Sequence, residues 1–82
     1  MLTGLQIRTA RNLLRWAPHK LAELARLPTK TIERAESTEG EACITIAQEN
    51  EIRRVLRAAG IEFIAENGGG AGVRMREPGE KA

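Results

Sequence analysis

The sequence predicts a mainly α fold, four helices followed by a C-terminal β-hairpin. Three observations predict it. Apolar residues recur at intervals of three and four between Leu5 and Ala59. Two Thr-x-x-Gln pairs, Thr3 with Gln6 and Thr45 with Gln48, stand where capping boxes open helices. After Gly60 the apolar period shortens to that of extended chain.

Helix 1 is expected from Gly4 to Arg15, with Leu5, Ile7, Ala10, Leu13 and Leu14 on its apolar side. Pro18 suits a first helical position, so a second helix begins there and carries Leu21, Ala22, Leu24 and Ala25 inward. Arg26, Leu27 and Pro28 make a break. Pro28 then permits a third short helix, with Ile32 and Ala35 as apolar anchors and an end near Ser37. Thr38 to Cys43 reads as loop. A fourth helix spans Ile46 to Ala59 through Ile52, Val55, Leu56 and Ala59, and Gly60 supplies its left-handed stop. Ile61 to Ile64 and Val73 to Arg76 are the strands, with turn material from Asn67 to Gly72. The organisation is a helical domain over residues 1–60, a hairpin over 61–76 and a frayed tail over 77–82.

Eighty-two residues make one marginal domain, which buries only about 60% of its unfolded surface and gains from a partner chain. No apolar run of about 20 residues could span a membrane, and the N-terminus lacks the basic, apolar, small-residue order of a signal peptide, so a cytoplasmic protein is expected. Cys43 is the single cysteine and His19 the single histidine, so no disulfide or spaced metal set is expected, and Cys43 reads as a small apolar residue. No cofactor and no catalytic constellation are expected: His19 lacks a paired nucleophile, and the glutamates form no distinct acid/base pair. Gly68 to Gly72 resembles a phosphate loop only superficially, because no Lys-Ser/Thr follows.

Net charge is only +2, but its distribution is uneven. Residues 1–34 hold seven bases against two acids, whereas residues 35–51 hold five glutamates and no base. A phosphate backbone would be drawn to the first segment and repelled by the second. Arg8, Arg15, His19, Lys20 and Arg26 are the expected phosphate contacts.

Two short helices joined by a tight turn and flanked by a third form the helix-turn-helix arrangement that projects one helix into a DNA major groove. The stretches Gln6-Ile7-Arg8, Leu13-Leu14-Arg15-Trp16, Leu21-Ala22-Glu23-Leu24-Ala25 and Thr31-Ile32-Glu33-Arg34-Ala35-Glu36 resemble the Xre family of Cro/repressor-type regulators. The tail Ala58-Ala59-Gly60-Ile61-Glu62-Phe63-Ile64 with Asn67-Gly68-Gly69-Gly70 resembles a small bacterial branch of that family with a C-terminal hairpin. The resemblance spans nearly the whole chain. It implies a four-helix Cro/repressor-like domain in which Arg11 pairs with Glu36. It also implies that Thr29, Lys30 and Arg34 lie along the exposed side of the recognition helix while Ile32 and Ala35 face inward. Lys30 and Arg34 suit guanine O6 and N7, and Thr29 a thymine methyl or a phosphate.

Four positions depart from the family pattern. Ala17-Pro18 replaces Ser-Gln, removing an N-cap oxygen, Arg26 replaces the turn glycine, and Pro28 replaces a capping Ser. A left-handed Arg26 would cost roughly 1 kcal/mol.

The expected function is a sequence-specific transcriptional regulator, a repressor-type protein acting on double-stranded DNA. A homodimer is expected because Ile61, Phe63, Val73 and Met75 give the hairpin apolar faces that a two-stranded ribbon cannot cover, with Val55, Leu56 and Ala59 contributing from helix 4. The alternative is a protein-interaction module, such as an antitoxin binding a toxin or another protein partner, favoured by the glutamates from Glu36 to Glu51 and by Pro18.

Overall fold

A computed structural model describes residues 2–64 and 72–75. Helix α1 (Gly4–Leu13) and helix α4 (Ile46–Ala58) open with the expected capping boxes. The Gln6 amide donates to Thr3 Oγ1 at 3.0 Å and the Thr3 amide to Gln6 Oε1 at 2.9 Å. Thr45 and Gln48 repeat this at 3.1 and 3.0 Å. Each box satisfies amide donors that a helix start otherwise leaves orphaned. Helices α2 (Pro18–Ala25) and α3 (Thr29–Glu36) have no side-chain cap. Pro18 removes one orphan donor outright, and extended Pro28 offers its carbonyl to the Thr31 amide at 2.9 Å.

The helix ends explain the turns. Helix α1 stops two residues short of the expected Arg15, because Arg15 is left-handed at φ 60°. The Trp16 amide reaches back to the Arg11 carbonyl and the Arg15 amide to Asn12, the Schellman pattern. Helix α2 closes the same way: Arg26 stands at φ 60°, ψ 43°, and the Leu27 amide bonds the Ala22 carbonyl. Arginines therefore occupy two positions that glycine usually takes. Helix α4 ends one residue earlier than expected, with Gly60 at φ +104°.

The core joins all four helices and the hairpin through Ile7, Leu21, Ile32, Ile52, Leu56 and Ile61, all fully buried. Trp16 and Leu27 pack against its edge. Leu5, Leu13 and Leu24, expected to face inward, are exposed. At about 100° per residue, Ile7, Ala10 and Leu14 share a sector of about 60°, and Leu5 and Leu13 fall outside it.

The chain before α1 docks on the loop after α3. Thr3 bridges Glu41, the Gly4 amide donates to the Gly40 carbonyl at 2.8 Å, and the Ala42 amide donates to Leu2 at 3.2 Å. A Cβ on Gly4 would overlap the carbonyl oxygens of Thr38 and Ala35, so only glycine allows this approach.

Strands β1 (Ile61–Ile64) and β2 (Gly72–Met75) pair antiparallel, Ile61 opposite Met75 and Phe63 opposite Val73. On that face Ile61, Phe63 and Val73 meet the helices, with β1 against α4 and β2 against α1, while Met75 at its end is exposed. The other face carries Ile64 and the Glu62–Arg74 ion pair at 2.7 Å. Gly72, expected in the turn, is instead a strand residue opposite Ile64, and its carbonyl accepts from Gln6 Nε2 at 3.2 Å. The rest of the expected turn, Arg76 and the tail over 77–82 lie outside the described residues.

Candidate nucleic-acid interface

Helix α3 is divided cleanly between two faces. Thr31, Ile32, Ala35 and Glu36 are buried, while Lys30, Glu33, Arg34 and Ser37 are exposed. Lys30 and Arg34 thus lie together on the exposed face of α3. Thr29 is half-buried at the first turn, at the margin of that face. Glu33 and Ser37 share this exposed side, at helical spacing from Lys30 and Arg34.

The inward face fixes the helix. Glu36, at its last turn, accepts from Arg11 Nε at 2.8 Å and Nη2 at 2.9 Å, with side-chain exposures of 9% for Glu36 and 13% for Arg11. Arg11 Nη1 also donates to the Trp16 carbonyl at 2.8 Å. The hydrogen bond to Glu36 raises the Arg11 pKa above its ordinary value, with burial opposing it and the Glu36 charge adding to it. One guanidinium therefore ties the end of α1, the turn into α2 and the end of α3. Arg8, expected on phosphate, donates from Nη1 to the Glu36 carbonyl at 3.2 Å and is half-buried. It caps the C-terminal end of α3, where a cation is favoured.

The remaining expected phosphate contacts are exposed. Arg15 precedes α2, His19 and Lys20 lie in its first turn, and Arg26 ends it. Among the described residues, Arg15, Lys20, Arg26, Lys30 and Arg34 form no ion pair, whereas Glu36, Glu49 and Glu51 are paired with Arg11, Arg53 and Arg54. The basic segment thus keeps its charge available, and the acidic one loses most of its own. The loop glutamates Glu39 and Glu41, unpaired among the described residues, are exposed.

Beside α3 runs an open groove of about 630 Å³, lined by Arg34, Glu41, Ala42, Cys43, Ile44, Thr45 and Gln48. Cys43, read from the sequence as a small apolar residue, is exposed on its wall beside buried Ala42. Ile46, 73% exposed, opens the next helix. No group of three or more His, Cys, Asp or Glu side chains among the described residues could hold a metal ion.

Three of the residues expected to pair two copies do not reach the surface. Val55, Leu56 and Ile61 are buried in the chain's own core, since the hairpin folds back on α4 and fills its apolar side. Ala59, Phe63 and Val73 are half-buried, Phe63 lying under the Arg57 guanidinium at 5.9 Å. Met75 is exposed, as are Ile64, Leu5 and Leu13. No helix among the described residues is long and apolar enough to cross a membrane. Set against known proteins, the chain matches no family model, no curated protein and no solved structure.

Proposed function

We propose that this chain is a sequence-specific DNA-binding regulator of the Cro/repressor type, acting as a cytoplasmic homodimer that reads the major groove with α3. The observation that carries this reading is the exposed face of α3, on which Lys30 and Arg34 stand without ion-pair partners among the described residues. Cations without ion-pair partners among the described residues, on a helix buried from behind by Ile32 and Ala35, fit a base-reading surface. Arg15, Lys20 and Arg26 on the preceding segment, unpaired among the described residues, fit phosphates, which position the helix without reading sequence. Assembly of two copies draws support from exposed Leu5, Leu13, Ile64 and Met75, and would set the spacing of two half-sites.

The test is selection of bound sequences from random duplex DNA, followed by affinity measurements over a salt series. An enriched motif and a steep loss of affinity with salt are expected. A flat salt response with no enrichment favours the second reading, a protein-interaction module such as an antitoxin. That reading draws on the acidic Glu39 and Glu41 in the loop after α3 and on the uncapped start of α2 at Ala17-Pro18.

A further inference from the structure

Resting on the DNA-binding reading above, we propose that Glu33 reads cytosine, making α3 a two-signed reader that selects a C·G pair on one flank and guanine on the other. At about 100° per residue, Lys30 and Ser37 lie within about 20° of each other around the helix, Arg34 about 40° to one side of Lys30 and Glu33 about 60° to the other. Arg34 faces the groove beside the loop and α4, so Glu33 projects on the opposite flank. Glu33 is exposed and has no ion pair among the described residues, although Lys30 is one turn away.

A lone carboxylate on a helix entering the major groove is repelled by phosphates on both walls, and it loses water as the groove closes around it. It is tolerated where a base edge donates to it. Only cytosine N4 and adenine N6 donate in the major groove, and adenine sets its N7 acceptor alongside, which opposes a carboxylate. Guanine and thymine offer acceptors alone at their hydrogen-bonding edges. Cytosine is therefore the base that Glu33 admits, and discrimination arises mainly from the penalty against the other three.

The experiment selects sites from random duplex DNA with the unsubstituted protein, Glu33→Ala and Glu33→Gln, then measures each protein on the enriched site and its three single-base replacements. The unsubstituted protein is expected to enrich one cytosine and to discriminate against replacement roughly 5- to 150-fold. Glu33→Ala loses that preference while keeping the guanine preference. Glu33→Gln moves the preference towards adenine, whose N6 and N7 match an amide. The same enriched sequence from all three proteins, or an equal loss of affinity for every sequence, overturns the role of Glu33 while leaving DNA reading intact. Failure of the unsubstituted protein to enrich any duplex overturns both. Because Glu33 is exposed and unpaired among the described residues, helicity by circular dichroism should be the same in all three proteins.

Discussion

Arg11 and Glu36 meet side by side, Nε to Oε2 at 2.8 Å and Nη2 to Oε1 at 2.9 Å, across residues that the sequence keeps far apart. Removing either partner leaves the other charge nearly buried. Arg11→Ala is expected to cost about 3 kcal/mol, measured by urea unfolding. Because Arg11 is a base whose pKa is raised on folding, its contribution is complete below its unfolded pKa and is lost only as pH rises through the higher folded value. The Arg11 contribution should therefore be constant across the neutral range. A cost that changes steeply between mildly acidic and mildly basic buffer would contradict this account.

Arg26 combines a backbone cost with a charge that the proposed function uses. At φ 60°, ψ 43° a non-glycine residue costs about 1 kcal/mol, partly offset by the flexibility that glycine adds to the unfolded chain. Arg26→Gly should raise stability by about 0.5 kcal/mol and weaken binding to all DNA sequences, because one phosphate contact is lost. Thermal unfolding and fluorescence anisotropy on the same preparation check both halves.

At the start of α2, Ala17 has the extended backbone of an N-cap and no oxygen to use. Ala17→Ser should add about 1 kcal/mol of stability, and Thr3→Ala should remove a similar amount by breaking a cap that exists. Opposite shifts in the urea midpoint are the expected result.

Arg34→Ala and Lys20→Ala should separate reading from anchoring. The first is expected to cost about 1–3 kcal/mol on the selected site and little on a scrambled one, whereas the second weakens both alike and lowers the salt dependence. Equal loss on both duplexes from Arg34→Ala would show that Arg34 does not read a base.

Light scattering should give about twice the 9.0 kDa chain mass. Ile64→Lys combined with Met75→Lys should give the monomer with unchanged helicity, since both side chains are exposed while Ile61 and Leu56 are sealed inside. A monomer from the unsubstituted chain would remove the dimer.

Local chemistry made much of this molecule legible in the sequence. Thr3 with Gln6 and Thr45 with Gln48 announced their helix starts because a capping box is completed within four residues. The pairing of Arg11 with Glu36 was accessible only through family resemblance. Apolar spacing identified Leu56 and Ile61 as positions to be covered, but it does not say by what, and here the chain covers them itself. Glu33 gave no sign of its own, since spacing places it on the exposed face of α3 without saying what that face meets. Gly4 gave no signal either, since its role depends on carbonyls of Ala35 and Thr38 that only the folded chain brings near.

The backbone contacts joining residues 2–4 to residues 40–42 close α1, α2 and α3 into a ring, leaving α4 and the hairpin outside it. Closing a loop of that length carries an entropic cost that the individual helices do not, so the ring should open as one event. The amides of Gly4 and Ala42 should then exchange with solvent at matched rates, although α1 and the loop after α3 belong to different parts of the sequence. During synthesis the order is fixed as well. Residues 2–4 must wait, unpaired, until Gly40 and Ala42 have left the ribosome.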